Sequence, residues 1–219
     1  DVRYHAVMGL KKHKSPRTMA TLLAALSAKL DTRMKPEETN RALYRETLVE
    51  ALAEYGAASL PGLLRQAKGP ASPGRLYVLK HLVMRKERQV IPALIAALSA
   101  PHAPTQLAAV EGLLTLRDPA ALPALLKSLT SAPTAVTRAL IQTLGAYPGP
   151  RTIAAVRPYL KPGNPHLKDA LVTLAVLRAK KSVRQIRKLA RSKDPTLRRA
   201  AVAALGWLED RKSVGLIFK

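Results

Sequence analysis

Lysine and arginine are the residues of this chain whose type and spacing can do chemistry. Arg65, Lys127 and Lys188 recur at one place in a segment repeated about every 31 residues, and Lys68, Lys161 and Arg191 recur at another, three residues further on. Arg157 and Arg184 stand beside them. Both places point away from the apolar stripe of the helix that carries them, so these eight residues would line one exposed face across successive repeats. A surface of that kind attracts anions and displaces the counterions condensed on a polyanion. A second concentration falls in turns: Lys11, Lys12, Lys14 and Arg17; Arg85, Lys86 and Arg88; Lys180 and Lys181; Arg211 and Lys212. Stacked repeats would bring these turns into one ridge.

Composition supports the placement. Of 219 residues, 37 are Lys or Arg and 14 are Asp or Glu, a formal net charge of +23. Solubility needs only a modest net charge, and self-repulsion at this level opposes compactness. The expected counterpart is a polyanion or a strongly acidic surface. No acidic residue occurs between Asp118 and Asp169, and from Arg178 to Lys219 thirteen cations face three acids. Positive charge therefore rises toward the C-terminal end.

Other chemistries find little to use. His5, His13, His81, His102 and His166 lie more than a helical turn apart, and none has a carboxylate or thiol at ligand spacing. They read as solvated turn or helix-face histidines, with no metal and no cofactor expected. The lack of cysteine excludes disulfides and thiolate metal sites and leaves the compartment open, cytoplasm being a guess. Gly-rich phosphate loops and the GxSxG nucleophile turn are absent. Glu46, Glu50 and Glu54 form an i, i+4, i+8 row that reads as a solvated acidic face paired with Arg41 and Arg45, while Glu37-Glu38 falls in an insertion. The longest stretch without a full charge, 89 to 110, contains Pro92, Pro101 and Pro104 and reads as two short helices and a turn rather than a membrane span.

The elements that must position the cations are written in the repeat. Ile91-Pro92-Ala93-Leu94-Ile95-Ala96-Ala97-Leu98-Ser99-Ala100 returns with substitutions at Met19 to Ala28, and again from Leu60, Leu122, Ile153, Val183 and Val214. From the second copy onward the spacings are 31, 31, 31, 30 and 31, in the solenoid range. Apolar residues at offsets 0, 3, 4 and 7, as in Ile91, Leu94, Ile95 and Leu98, make one stripe of an amphipathic helix. Pro61, Pro92 and Pro123 at offset 1 suit a first helical turn, where a missing N–H costs nothing. We term this helix B.

A second helical pattern, A, precedes each copy at about 2–12, 39–55, 73–85, 104–116, 133–146, 165–178 and 195–208. Asn164-Pro165 and Asp194-Pro195 set a capping side chain before a first-turn proline. Short polar turns join A to B, and Pro/Gly-rich turns such as 161–165 join repeats. The first two B helices are 41 residues apart, so Asp31 to Asn40 reads as an insertion or a lengthened helix. The chain opens at Asp1 without Met and stops inside the seventh copy, so both ends read as cut from a longer protein.

Asp194-Pro195, Leu197-Arg198-Arg199-Ala200-Ala201, Ala204-Leu205-Gly206-Trp207-Leu208-Glu209-Asp210 and Val214 together resemble the short HEAT-like repeat of the phycobilin-lyase type. Val2-Arg3 to Leu10 followed by Ser15-Pro16-Arg17 resembles the same unit. The resemblance implies a right-handed superhelix with A helices convex and B helices concave, and it implies no single activity, since such repeats serve lyase subunits, scaffolds and nucleic-acid binders. Some DNA glycosylases built from HEAT-like repeats use Trp and Asp, which Trp207 and Asp210 resemble. A single Trp is few aromatics for clasping a base, and Asp210 stands where these repeats commonly carry a turn Asp.

The expected fold is all-α, one right-handed HEAT-like solenoid of about seven helix pairs over residues 1–219. Leu94, Leu98, Leu125, Leu129, Val156, Leu160, Ile186 and Leu189 are its expected core. The expected function is a non-enzymatic scaffold whose basic B face and turn ridge hold an anionic macromolecule, nucleic-acid backbone first and an acidic protein segment second. Tyr147 and Tyr159 are candidate anchors for the second, and a glycosylase is the third reading.

Overall fold

In a computed structural model the described residues are 2–28, 38–69, 72 and 74–216, and they fall into two compact units, Asp1–Leu116 and Arg117–Lys219. The fold is all-α: among the described residues there are helices and 3-10 turns and no strand. In the first unit the A helices are α1 (Val2–Lys12), α3 (Glu38–Ala53), α5 (Arg75–Met84) and α7 (Ala103–Leu116). Its B helices are α2 (Pro16–Ser27), α4 (Leu60–Lys68) and α6 (Ile91–Ala97). The second unit opens with a B helix, α8 (Leu122–Leu129), and continues as α9 (Thr134–Leu144), α10 (Pro150–Val156), α11 (Leu167–Val176), α12 (Val183–Leu189) and α13 (Pro195–Trp207). The last B segment is a 3-10 turn, Arg211–Leu216. Of the expected insertion, residues 31–37 lie outside the described residues and 38–40 open α3.

Like elements stack within each unit. The A helices α1, α3, α5 and α7 pack in series, as do α9, α11 and α13, and from α3 onward each also packs on the B helix before it. All eight expected core residues are buried, Leu94, Leu125, Val156 and Ile186 with no exposed surface at all. Burying apolar area on neighbouring repeats is what stabilises helices of seven to nine residues, which would be marginal alone. Side chains also tie one B helix to the backbone of the one before. The Gln66 amide donates to the Leu23 carbonyl (3.1 Å), the Tyr159 hydroxyl to the Leu129 carbonyl (3.2 Å) and the Gln185 amide to the Leu160 carbonyl (3.1 Å).

The B helices begin where proline says they should. Pro61, Pro92 and Pro123 occupy the first turns of α4, α6 and α8, and Pro16, Pro150 and Pro195 do the same elsewhere. Asp194 caps α13 by accepting from the Thr196 N–H at 2.8 Å. Asn164 behaves differently: its carboxamide accepts from the His166 N–H (2.8 Å), closing a local turn, so α11 starts at Leu167 rather than 165.

The turn from A to B uses a conformation the residue types do not announce. Lys86, Arg117, Arg178 and Glu209 all have positive φ, 48° to 56°, at equivalent places in four repeats. After Lys86 the Glu87 N–H reaches back to the Leu82 carbonyl (3.0 Å), and Ala179 to Leu174 and Asp210 to Leu205 repeat the bond. This is a left-handed helix cap, usually given to glycine. A buried residue stands immediately before α4, α6, α8 and α12, namely Ser59, Val90, Ala121 and Ser182, and Thr152 and Ser213 are buried at the corresponding places inside α10 and the last 3-10 turn.

Candidate anion-binding face

The cations expected on the B face divide between the two units. Arg65 and Lys68 are exposed on α4 of the first unit. In the next copy of that unit the corresponding positions are Ala96 and Ser99, so the row stops there. The second unit carries the rest: Lys127 on α8, Lys161 after α10, and Arg184, Lys188 and Arg191 along and just past α12, all exposed.

Local folding explains the α12 row. Arg184, Lys188 and Arg191 are spaced by four and three residues, which places them on one side of a helical turn path. Ile186 and Leu189, on the opposite side, are buried. The 30- and 31-residue spacings then set Lys127 and Lys188 in one register, and Lys161 and Arg191 in another. Arg157 departs from the expected exposure: it is half-buried, with its Nε enclosed and making no hydrogen bond.

None of the eight cations forms an ion pair among the described residues. The second unit has few acids to offer: twenty Lys and Arg against five Asp and Glu, a net charge of +15. Four of the five have other work. Asp118 accepts from the Ala120 N–H (2.9 Å) and Asp194 caps α13. Asp169 pairs with Arg138 (3.4 Å) and accepts from Gln142 (2.9 Å). Asp210 takes two hydrogen bonds from the Arg187 guanidinium, that from Nε at 2.7 Å, and a further one from the Ser213 hydroxyl.

Arg187 therefore faces the next turn rather than the cation row. The Asp210 carboxyl is held below its usual range, first by the Arg187 hydrogen bonds and also by the Ser213 hydroxyl, against a smaller opposing effect of burial. An aspartate so engaged is a link between repeats. Trp207, three residues before it, is 64% exposed on α13.

The turn ridge survives only in part. In the first unit Lys11 and Lys14 are drawn to Glu54, at 2.7 and 3.4 Å, and Arg85 to Glu87 at 3.6 Å. Glu54 thus pairs with α1 and the turn after it, through Lys11 and Lys14. In the second unit Lys180, Lys181, Arg211 and Lys212 are exposed and make no ion pair among the described residues.

Three other expectations change. Tyr147 is 5% exposed, and burial raises its phenol pKa, so its ring belongs to the core. Tyr159 is half-buried with its hydroxyl spent on Leu129, which removes both as ready anchors for a partner. His166 is buried, its ring edge-on to Tyr159 at 6.1 Å, and His81 is half-buried. Tyr159 beside His166, and Glu46, Val49 and Glu50 of α3 beside His81, come from other elements, which spacing along the chain does not display.

Comparison with known families and structures meets the same architecture. Residues 60–145 match the HEAT-repeat family. That stretch of the chain carries HEAT repeats. Solved structures extend the likeness over most of its length. A chain of the complex of CpcE and CpcF of phycocyanin lyase from Nostoc sp. PCC7120 is 22% identical, with 91% of this chain and 80% of that one covered at a TM-score of 0.53. An engineered protein is 15% identical, with 93% and 96% covered at a TM-score of 0.56. At these identities the HEAT-repeat likeness concerns the fold alone. No curated protein matches the sequence.

Proposed function

We propose that this HEAT-repeat chain is a non-enzymatic scaffold whose second unit holds an anionic macromolecule, a nucleic-acid backbone in the first instance. The observation that carries the proposal is the state of Lys127, Lys161, Arg184, Lys188 and Arg191: all exposed and free of ion pairs among the described residues, with Lys127 and Lys188 in one repeat register, Lys161 and Arg191 in another and Arg184 beside them. Cations that are already hydrated and unpaired meet a phosphate without first breaking a bond to a carboxylate. Binding would proceed by counterion release along the backbone, and no groove-reading element is needed. Asp210, the carboxylate a glycosylase reading would require, is instead engaged with Arg187 and Ser213.

Titration of a short DNA duplex at several salt concentrations tests this. With about six phosphates contacted, log K should fall with log salt at a slope of about −5, and replacing Arg184, Lys188 and Arg191 by Ala should remove about half of that slope. A salt-independent affinity, or one unchanged in the triple variant, would overturn the proposal. Preference for an acidic polypeptide over DNA at equal salt would move the assignment to the alternative occupant, an acidic segment of a protein.

A further inference from the structure

A groove in the first unit is lined in the opposite sense. It lies between α3 and α5 and encloses about 230 Å³. One wall is Glu46 and Glu50, a helical turn apart on α3, with Val49 between them at 4% exposure. The other wall is Tyr77, His81 and Met84, at i, i+4 and i+7 on α5, with Lys80 beside them. Both glutamates are exposed and neither forms an ion pair among the described residues.

One apolar member of the groove and one apolar residue beside it are open. Met84 is 81% exposed, and Leu43, on the same face of α3 as Glu46 and Glu50, is 51% exposed. Single exposed apolar residues are common on protein surfaces and need no explanation. Here they flank one groove in which an enclosed polar atom is also unsatisfied. His81 Nε2 is enclosed and makes no hydrogen bond, and burial together with the nearby Arg85 lowers its pKa, so the imidazole is neutral near pH 7. Among the lining residues two carboxylates then face one ammonium, and the nearby Lys11 and Arg85 are engaged by Glu54 and Glu87, which leaves the lining net negative in a chain of net charge +23.

We propose that the α3–α5 groove docks a basic amphipathic segment of another protein. An apolar side chain would rest on Val49, Tyr77 and Met84, and a Lys or Arg would sit between Glu46 and Glu50. Charge decides among the occupants. A polyanion is repelled by the two carboxylates, and a second copy would bring a net charge of +23 against +23. A short basic segment meets the carboxylates directly, while cations farther than about 10 Å are largely screened at 0.1 M salt. The arrangement is that of a helix or strand anchored in a groove between two helices. It does not depend on the anion-binding reading of the second unit.

The test uses the full chain and two short fluorescent peptides, one patterned with Leu and Lys, the other with Leu and Glu. The Leu/Lys peptide should bind and shift the Met84 ε-methyl resonance. The double variant Glu46→Gln, Glu50→Gln should weaken that binding by about tenfold, Met84→Ala should also weaken it, and Lys188→Ala should leave it unchanged. All the substituted positions are exposed, so the variants should fold, and their thermal midpoints serve as the check. An unmoved Met84 resonance, or equal affinity in the double variant, would overturn the proposal. Self-association of the chain that disappears in the double variant would overturn it as well, by making a second copy the occupant.

Discussion

Asp210 illustrates how a carboxylate is used in a chain that has few of them. Its oxygens take two hydrogen bonds from Arg187, 23 residues earlier, and one from Ser213, so a single side chain joins α12 to the turn that follows α13. The charged form is favoured in the folded state, and the folded pKa lies below the value of about 3.9 for an unfolded aspartate. The stability it contributes is therefore fully present above that unfolded value and is lost as pH falls through the lower folded one. Asp210→Asn should lower the urea midpoint at pH 7, and the difference from the parent should narrow steadily below about pH 4. Chemical denaturation at pH 7, 4 and 3 measures it, and a difference independent of pH would show that the link is not ionic. Asp194 and Glu54 are also held low, so some acid sensitivity remains in the variant.

At the scale of the element, close packing rather than polarity sets the tolerances. Gly112 of α7 lies where α5 and α6 come nearest, and a Cβ there would stand 2.8 Å from Val83 Cγ2 and 3.0 Å from Leu94 Cδ2. Gly74, just before α5, is tighter still, with the Leu26 carbonyl oxygen 2.2 Å from the place a Cβ would take. Methyl groups can move by a few tenths of an ångström, whereas a carbonyl moves only with its helix. Gly74→Ala should therefore cost more than Gly112→Ala, each within about 1–3 kcal/mol, as read from denaturant midpoints. The reverse order would mean that α2 and α5 can separate freely.

The same scale separates what the sequence discloses from what it hides. Helix starts and the buried stripe are legible because proline, capping side chains and a 31-residue apolar period are properties of the chain itself. The positive-φ caps at Lys86, Arg117, Arg178 and Glu209 are not, because the residue that marks such a cap is glycine and here it is a charged side chain. Nor are the Arg187–Asp210 link and the burial of Tyr147, which arise between repeats. Of the candidate face, types and register could be read along the chain. The pairing of Lys11, Lys14 and Arg85 required the fold.

For the whole molecule the governing quantity is charge that its own acids leave uncompensated. Like charges confined to a folded unit repel, and salt screens them over about 10 Å at 0.1 M. Added salt should thus raise the thermal midpoint, opposite to the behaviour of a protein held by surface ion pairs. A bound polyanion supplies the same relief by another route, and its effect should have the opposite salt dependence. At low salt, duplex DNA at about a hundred times its dissociation constant should stabilise the chain by at most about 2.7 kcal/mol, the value for a ligand with no affinity for the unfolded chain, and the gain should vanish as salt rises. The unfolded chain carries the same net charge and attracts DNA too, so charge alone shifts neither state strongly. A net gain requires cations that folding has set in register. Replacing Arg184, Lys188 and Arg191 by Ala should abolish the DNA-induced rise, whereas replacing Lys168, Lys193 and Arg199, also exposed in the same unit, should leave most of it. Equal losses from the two triple variants would reduce the effect to net charge and remove any role for the α12 row.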